Sequence, residues 1–257
     1  YEHTIKGSKR FSSARAYLHP ALKRKNLYTK INITVDKVIF ENKKAIGIEY
    51  IDKGKRVFCR GNKEIILSSG AVNSPQILMR SGIGDSEEIK KHGIEVVHEL
   101  KGVGKNLQDH ISVVSQFQCT QPVTLHRSAS FLGTMLAGVK YLVTGTGDAA
   151  NPPCVGGAFI KSHPEKEIPD IQIHYVSIAM QDGHGRAGVP QDHGFSNLVY
   201  LCRPQSRGHI SLKSSNPIDD PLMFPNYFSV EQDLIDTRNG LREANRVFMQ
   251  PVFDEYR

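Results

Sequence analysis

The spacing of apolar residues predicts three consecutive strands in the first quarter of the chain. Within residues 33–40, 45–50 and 56–59, apolar side chains recur at about every second position, which is the period of a strand with one buried face. Short polar turns rich in Asn, Asp, Gly and Lys separate the three runs. Because such short turns join neighbouring antiparallel strands, this part of the chain is predicted to form a β-meander.

An apolar run and a glycine-bounded helix follow the meander. Residues 63–69 contain the run Ile-Ile-Leu, which predicts a short buried strand, and residues 70–84 read GAVNSPQILMRSGIG. Ser74 is predicted to cap a helix that begins at Pro75, where a missing N–H costs no hydrogen bond, and Gly82 is predicted to follow its end. The predicted order is therefore strand, turn, helix and turn.

The turn between this strand and this helix contains residues with almost no side chain. Gly70 and Ala71 would let a large group, such as a phosphate-bearing or ribose-bearing ligand, approach the backbone. An ordinary strand-to-helix connection is the more common explanation of the same residues in an α/β fold. The local pattern therefore leaves both interpretations open.

The organisation of the chain changes after the glycine-rich segment 102–110, where we place a domain boundary. A short helix capped by Asp85 or Ser86 is predicted before that segment. Beyond it, one helical pattern alternates with strand-like runs, at residues 131–143 for the helix and 111–117, 171–176, 197–202 and 209–213 for the strands. The predicted fold class is α/β, α+β overall, with domains at residues 1–111 and 112–257.

The last helical pattern begins close to residue 230. Ser229 and Gln232 have the spacing of a capping box, in which each side chain bonds to the other's backbone N–H. The apolar residues predicted to lie on or near one face of this helix are Leu234, Leu241, Val247 and Phe248.

Composition places few limits on function. The chain has 257 residues and a formal net charge of +7. Such a charge can attract nucleic acid or an anionic membrane, but the lysines are dispersed, so a solvated basic surface without nucleic-acid binding is predicted. Peripheral contact with an anionic membrane is the alternative. No apolar run approaches the roughly 20 residues that a membrane-spanning helix needs, and no secretory signal is recognised.

The metal-binding and redox signals in the sequence are weak. Cys59, Cys119, Cys154 and Cys202 form no CxxC pair, which argues against a zinc or dithiol site and favours a reducing compartment. The histidines show no paired metal-binding spacing on a helix, so no metal is predicted. A literal GxGxxG occurs at residues 183–188, but a loop-like sequence follows it instead of a helix, and we interpret it as a loop.

Two motifs resemble a known family. The stretch 70–84 is similar to the second signature of the glucose–methanol–choline (GMC) flavoprotein oxidoreductases, with every defining position filled. Residues 102–110, GVGKNLQDH, resemble the segment that adjoins that signature in the family. Further likeness is found at residues 12–18, 156–160 and 206–212. Within the family, the chain is most similar to choline dehydrogenases and acceptor-linked alcohol dehydrogenases, through residues 169–172 and 226–229.

The resemblance implies part of an FAD-binding dinucleotide fold that contains the meander, and a substrate domain with an antiparallel sheet flanked by helices. It implies that Val35 contacts the FAD adenine through its backbone, and that the turn at Ser69, Gly70 and Ala71 lies near the cofactor. The family's first glycine fingerprint and its catalytic histidine pair have no match here. Catalytic residues therefore stay unassigned, His110 is not the base, and the isolated fragment is predicted to be inactive.

The reaction that the resemblance implies for the whole protein is oxidation of a primary alcohol of the choline type to an aldehyde, with hydride transfer to the flavin. A quaternary ammonium group binds aromatic faces, and Tyr175, Phe195 and Tyr200 are candidates, although aromatic residues on strands more often belong to a core. A general aliphatic or aromatic alcohol dehydrogenase is the alternative within the family. A non-catalytic α/β binding module is the alternative from another class.

The resemblance also implies an electron acceptor and a location. The acceptor is expected to be a quinone or a respiratory carrier, by likeness to the dehydrogenases of the family. The expected location is the cytoplasm or the periphery of the inner membrane, which would be the mitochondrial inner membrane in a eukaryote.

Overall fold

The computed structural model describes residues 4–179 and 192–257, and the chain divides into two compact units. We call residues 28–109 with 206–229 the meander unit, and residues 1–27 with 110–205 and 230–257 the sheet unit. The glycine motif at 183–188 lies outside the described residues. The division into an FAD-binding part at 1–111 and a substrate-binding part at 112–257 stays a prediction, because the two units are defined by internal contacts and not by what they bind.

The described elements follow one another as a mixture of short and long strands and helices. The strands are β1 Ile5–Lys6, β2 Lys9–Arg10, β3 Ile33–Glu41, β4 Lys44–Asp52, β5 Lys55–Arg60, β6 Ile83–Gly84, β7 His98–Glu99, β8 Ser112–Gln118, β9 Cys154–Ile160, β10 Ile171–Val176, β11 Gly194–Leu201, β12 His209–Ser211 and β13 Leu222–Phe224. The helices are α1 His19–Ala21, α2 Gly70–Arg80, α3 Ser86–Lys91, α4 His126–Ala129, α5 Phe131–Thr144 and α6 Glu231–Phe248, with a π-helical turn at Ala14–Leu18 and 3₁₀ turns at Asp148–Ala150 and Pro251–Phe253.

The predicted meander is confirmed. β3, β4 and β5 form a three-stranded antiparallel sheet in that order. Within β3 the register passes from Val35 opposite Tyr50 to Lys37 opposite Glu49, so Asp36 is an extra residue in a β-bulge. The side chain of Asp36 is buried. The bulge therefore brings a carboxylate into the interior of the meander unit.

The predicted buried strand at residues 63–69 is wrong. Residues 64–68 adopt no regular structure, and the side chain of Ile66 is 76% exposed. A strand needs a neighbour that accepts and donates its backbone hydrogen bonds. Among the described residues no strand pairs with this stretch, so its apolar composition alone does not produce one.

Helix α2 begins five residues before the predicted start and ends where it was predicted to end. Ser69 is its N-cap residue, and Ser74, which was predicted to precede the helix, lies inside it and accepts a hydrogen bond from the N–H of Ser69 at 3.0 Å. Pro75 lies in the helix interior. Gly82, with φ +83°, follows the C-cap, as predicted. The serine therefore satisfies a free N–H of the first turn from within the helix.

Helix α3 confirms one of the two predicted caps. The Asp85 side chain accepts hydrogen bonds from the N–H groups of Glu87 and Glu88 at 3.0 and 3.4 Å. α3 packs on α2 and β12 through a core of three buried residues, with further apolar side chains around it: Met79, Ile89 and Leu212, then Ile94, Val96 and Val103. Since Val103 is one of these side chains, the core joins α2 and α3 to the segment 102–110 within the meander unit.

The segment 102–110 contacts the segment 206–229 through backbone hydrogen bonds. Leu107 and Gly208 form an antiparallel bridge with two bonds of 2.9 Å, and the Ile210 N–H donates to the Gly104 carbonyl at 2.6 Å. The Tyr227 hydroxyl also donates to the Asp109 carboxylate. The glycine-rich motif therefore places the β12–β13 hairpin within the meander unit, where the predicted strand at 209–213 pairs with β13.

The sheet unit contains a four-stranded antiparallel sheet in the order β8, β11, β10, β9, which confirms the predicted antiparallel sheet. Helix α6 covers one face of it. Their shared core consists of five buried residues, Ile171, Ile173, Val199, Leu201 and Ala244. The predicted strands at 111–117, 171–176 and 197–202 and the predicted helix at 131–143 are all present within a few residues.

One detail predicted for α6 is wrong, and a second is confirmed only in part. The helix begins with Val230 as N-cap and no side-chain cap, so Ser229 and Gln232 form no capping box. Leu234 is half exposed, whereas the buried face carries small residues, among them Gly240 and Ala244. A Cβ atom on Gly240 would lie 2.9 Å from the Ile171 side chain. The helix therefore approaches the sheet most closely at its small residues, whereas Leu241 packs against the same core and Phe248 is buried, as predicted.

A polar cluster joins the start of α6 to the connection between β9 and β10. The Asp170 carboxylate accepts hydrogen bonds from the Ser162 N–H and hydroxyl, both at 2.7 Å, and lies 3.3 Å from the Lys166 ammonium. That ammonium also lies 2.8 Å from the Asp236 carboxylate of α6. Burial tends to raise the pKa of Asp170, but its bonds to Ser162 and Lys166 outweigh burial and lower that pKa.

Candidate functional site

A cavity in the meander unit contains two of the residues that were predicted to bind the cofactor. Its volume is about 370 Å³, and both Val35 of β3 and Ser69 at the start of α2 line it. Gly70 and Ala71, the other two predicted residues, are not among its lining residues. The remaining wall is formed by neighbouring residues of β3, by α2 and by a proline-bounded loop, through Ile33, Thr34, Asn73, Gln76, Ile77, Arg80 and residues 217–221.

The small-residue turn beside this cavity is open. Gly70 adopts φ +83°, a backbone conformation that side chains with a Cβ rarely adopt, and a Cβ atom built on it would meet nothing within 4 Å. Ser69 and Ala71 are exposed as well. Nothing in the unit itself packs against this turn at Gly70, so a large group could approach the backbone there. That FAD is this group stays a prediction.

A buried arginine holds the cavity wall beneath Val35. The Arg80 side chain is 5% exposed, its Nε donates to the Asp36 carbonyl at 2.9 Å, and its Nη2 donates to the Val35 carbonyl at 3.3 Å. Its Nε also lies 3.3 Å from the Asp36 carboxylate. Burial lowers the pKa of Arg80, and the Asp36 charge opposes that effect. Arg80 therefore fixes both carbonyls of the β3 bulge.

The carboxylate of Asp36 has a second cationic partner. Arg56 of β5 donates to Asp36 and to Glu49 of β4, and these bonds, first of all the one to Asp36, raise the pKa of Arg56. Arg56 is half exposed, whereas Asp36 is almost fully buried. The two arginines neutralise the buried carboxylate, which makes the bulge a rigid support for Val35.

A proline-bounded acidic loop forms the opposite wall of the cavity. Asp219 accepts hydrogen bonds from the Ser214 hydroxyl at 2.6 Å and from the Asn216 side-chain amide at 3.2 Å. Asp220 adds a second carboxylate to the lining. This loop, and Arg80, were missed in the sequence. The signals that could have indicated them are the sequence NPIDDP and an arginine four residues after Gln76 within an apolar helix.

The cavity suits the polar, planar end of a nucleotide better than an apolar ligand. Its volume is at the lower end of the roughly 300–1,000 Å³ that is common for small-molecule sites. Side-chain amides of Asn73 and Gln76 and the carboxylates of the acidic loop give it donors and acceptors, and side chains such as Ile77 give it some apolar contact surface. These residues fit an adenine or ribose group, and the open turn at Gly70 leaves a path for the rest of a dinucleotide.

A second cavity, of about 300 Å³, lies in the sheet unit and is mostly apolar, with five aromatic residues among the eleven that line it. Two of the three aromatic candidates for a choline site, Tyr175 and Phe195, line it. Tyr200 is not a lining residue and packs on His174 with ring centres 5.1 Å apart. Burial raises the pKa of Tyr175. The other lining residues are Cys119, Val123, Thr124, Val176, Ser177, Val247, Phe248, Phe253 and Tyr256.

The aromatic rings of this cavity also serve the core of the sheet unit. Phe195 and Phe248 meet edge to face with centres 4.8 Å apart, and Tyr175 meets Phe248 at 5.3 Å in the same way. Among the described residues that line the cavity there is no carboxylate. Among the described lining residues, the ring faces are the groups that could attract a quaternary ammonium.

His110, the last residue of the segment 102–110, has a structural contact. The Nε2 atom of His110 lies 2.9 Å from the Cys202 carbonyl, which joins the start of β8 to the end of β11. The residues that the structure describes contain no group of three or more metal-ligating side chains. The four cysteines are unpaired, and burial raises the pKa of Cys154 and of Cys202. No residue of this chain is assigned to catalysis.

Two family models match separate segments of the chain, and both carry the same description. Family models described as GMC oxidoreductase match residues 3–112 and 204–256. The chain is 42% identical over 254 residues to the mitochondrial choline dehydrogenase of Mus musculus. This match covers 99% of this chain and 42% of that protein. It is 41% identical to the oxygen-dependent choline dehydrogenase of Pseudomonas fluorescens, over 98% of this chain and 44% of the relative. The chain thus spans less than half the length of these curated relatives.

Solved structures share the fold at lower identity. A formate oxidase variant from Aspergillus oryzae, described with respect to FAD modification, superposes with a TM-score of 0.87 at 20% identity, over 98% of this chain and 48% of that one. A pyridoxine 4-oxidase from Mesorbium loti gives a TM-score of 0.81 at 20% identity, over 98% and 46% of the two chains.

Proposed function

Because the chain belongs to the GMC oxidoreductase family, we propose that the protein it forms part of uses FAD to oxidise a primary alcohol of the choline type to an aldehyde. The observation that carries this proposal is the identity of 41–42% to choline dehydrogenases along nearly the whole chain. When bound, FAD supplies the acceptor for the hydride of the alcohol carbon. This chain supplies part of the cofactor site and part of the substrate domain.

We assign the cofactor contacts to the meander unit. Val35 and Ser69 line its cavity, and Gly70 and Ala71 form the open turn beside it. Arg80 supports this assignment, since it fixes the carbonyl of Val35 and leaves that residue a single position at the cavity wall. The role of these residues is to hold the adenine end of FAD and to keep the turn clear for the remainder of the cofactor.

Choline is the proposed substrate, and a neutral primary alcohol is the second candidate. The names of the relatives favour choline, and Tyr175 and Phe195 supply aromatic surface in the sheet unit. The same apolar and aromatic lining is equally compatible with a neutral alcohol. The two candidates differ only in the positive charge of the substrate, so a single pair of substrates can separate them.

The proposed electron acceptor is a quinone or another respiratory carrier, and the proposed location is peripheral to the membrane that contains it. A mitochondrial relative supports a respiratory setting, whereas the bacterial relative is described as oxygen-dependent. No helix among the described residues has the length and apolarity needed to cross a bilayer. A respiratory carrier is therefore the proposed acceptor, and oxygen is the alternative.

The substrate test compares choline with its neutral carbon isostere, in which a tert-butyl group replaces the trimethylammonium group. The full-length protein is assayed with an artificial dye as acceptor, at matched substrate concentrations. Recognition of the charge is expected to favour choline about tenfold or more in kcat/KM, because a desolvated cation–π contact contributes on the order of 2 kcal/mol. Equal values for the two substrates would replace choline with a general alcohol as the substrate.

Two controls accompany this test. The absorbance spectrum of the purified protein must show bound flavin, because a colourless folded protein without turnover would favour the non-catalytic binding module. Turnover is then measured without oxygen in the presence of a soluble quinone, and with oxygen as the sole acceptor. Faster turnover with the quinone supports the respiratory acceptor, and faster turnover with oxygen rejects it.

A further inference from the structure

Helix α5 of the sheet unit has its apolar side chains on the outside. Seven large apolar residues of this helix are between 52% and 85% exposed: Phe131, Leu132, Met135, Leu136, Val139, Leu142 and Val143. At about 100° per residue these seven positions fall within an arc of roughly 140°, which we call the apolar arc. The opposite side of the helix carries the less exposed residues Gly133, Ala137, Gly138 and Tyr141. This is the reverse of the usual arrangement on the surface of a globular unit.

The helix is well formed at both ends, so its exposed side is not the result of fraying. The Ser130 hydroxyl accepts a hydrogen bond from the Gly133 N–H at 3.1 Å at the N-terminus. Gly145 ends the helix with φ +69°, and its N–H donates to the Tyr141 carbonyl at 2.8 Å. An apolar arc this wide on a capped helix is larger than the isolated apolar residues that any surface carries.

The surroundings of α5 in the sequence are basic and free of acid. Residues 110–147 contain no Asp or Glu, and residues 4–27 contain seven Lys or Arg and no Asp or Glu. The β1–β2 hairpin of that second segment contacts α5, because the Tyr141 hydroxyl donates to the Ser8 carbonyl at 2.8 Å. The nearest acid that follows in sequence, Asp148, accepts a hydrogen bond from the Ser128 hydroxyl.

We propose that the apolar arc of α5, together with the basic β1–β2 hairpin, is a docking surface for an anionic lipid bilayer. The arc would enter the boundary between headgroups and acyl chains, as amphipathic interfacial helices do. Lys6, Lys9 and Arg10 of the hairpin, and Lys140 at the border of the arc, supply the charge that anionic headgroups attract. This inference rests on the peripheral membrane association proposed above and assigns a surface to it.

Charge decides between a bilayer and a second copy of the chain as the occupant. A self-associating apolar face would bring two copies of the same acid-free, basic surroundings together, and like charges oppose that contact. An anionic bilayer neutralises them. A covering protein segment without negative charge would leave the cations of the hairpin without a role.

The test measures co-sedimentation of the full-length flavoprotein with vesicles of phosphatidylcholine alone, and of phosphatidylcholine mixed with phosphatidylglycerol. Wild-type protein is expected to bind the mixed vesicles more tightly. The variant Leu136→Ser/Leu142→Ser should bind mixed vesicles at least tenfold more weakly, because each leucine gives up its transfer into the bilayer. Its matched control is Ile31→Ser, an exposed apolar position of the meander unit that should leave vesicle binding unchanged.

A second pair of variants tests the cations. Replacing Lys6, Lys9 and Arg10 with Gln should weaken binding to mixed vesicles roughly a hundredfold, at about fivefold per charge, and leave binding to phosphatidylcholine unchanged. Its control is the replacement of Lys43, Lys53 and Lys63, three exposed cations of the meander unit, by Gln.

The vesicle-binding and turnover assays together distinguish loss of the docking surface from loss of enzyme activity. Turnover with a soluble dye should persist in every variant, so loss of vesicle binding with intact turnover supports the docking surface. Failure of the wild-type protein to bind mixed vesicles, or equal losses in the variants and their controls, overturns the proposal. Slower sedimentation of the leucine variant than of the wild-type protein would show that these leucines mediate self-association, and this result also overturns the proposal. None of these outcomes depends on which alcohol is oxidised.

Discussion

Replacing Arg80 with Met tests whether a buried guanidinium holds the β3 bulge beside the proposed cofactor cavity. Methionine has a similar length but no charge and no N–H donor. The change leaves the Val35 and Asp36 carbonyls without their arginine donor, and it leaves the Asp36 carboxylate with Arg56 as its cationic partner. Two carbonyls and one charge thus lose a partner in a region that is almost closed to water.

The magnitude follows from burial. Breaking a buried ion pair by removing one partner costs about 3–5 kcal/mol, and hydrogen bonds from a charged donor contribute about 1.5–3 kcal/mol each. Because Arg56 still neutralises Asp36, we expect the lower end, a loss of about 3 kcal/mol in the free energy of unfolding. Arg56 itself is 54% exposed, so Arg56→Met should cost less than about 1 kcal/mol.

The assay is urea denaturation of the full-length protein, followed by circular dichroism and by the fluorescence of released flavin. Arg80→Met is expected to unfold at lower urea and to release flavin more readily than wild type, because Val35 loses its fixed position. Arg80→Lys keeps the charge but not the forked donors, and should fall between the two. Equal losses for Arg80→Met and Arg56→Met would refute the view that burial of Arg80 decides the effect, and unchanged flavin retention would refute its link to the cavity.

Two further predictions concern the motif glycine that contacts β12 and the polar cluster of the sheet unit. Gly104→Ala should destabilise the protein by about 3 kcal/mol, because Gly104 has φ +76° and an added Cβ would lie 2.4 Å from a backbone carbonyl of β12. Gly102→Ala should be neutral, since nothing lies within 4 Å of the position of its Cβ. Thermal unfolding of the two variants checks the difference. Because folding lowers the pKa of Asp170, its contribution to stability should be complete above about pH 4 and disappear as the pH falls through the folded-state pKa. Asp170→Asn should therefore reduce the acid dependence of unfolding, and an unchanged acid dependence would contradict this.

The sequence predicted those elements that local pattern determines. The meander, the Asp85 cap and the helix at 131–143 depend on nearby residues, and each is present. The buried strand around Ile66 failed because pairing is a property of two strands, and the pattern of one strand cannot show whether a neighbour is present. The face of α6 was predicted in part: Leu241 and Phe248 pack in the core, whereas the close approach at Gly240 depends on Ile171 of a separate strand, which a helical pattern cannot show.

The candidate site was predicted in part. Resemblance placed Val35 and Ser69 near the cofactor, and they line one cavity. Arg80 and Asp219 were missed because their roles depend on contacts between segments that lie far apart in the sequence. A charged residue within an apolar helix was the available signal for Arg80. For the acidic loop, only the fold reveals that residues 217–221 belong beside β3.

The discontinuity of the two units has a consequence for the order in which the protein folds during synthesis. Residues 28–109 leave the ribosome before the sheet-unit residues 110–205, and the segment 206–229 that completes their unit ends about 120 residues after residue 109. At about 5–20 residues per second, the early part waits roughly 6–24 seconds for its last strands. During that time the backbone groups of Gly104 and Leu107 that later bond to the hairpin are open to water, chaperones or other chains. A slowly translated sheet unit would lengthen this interval and raise the risk of misassembly.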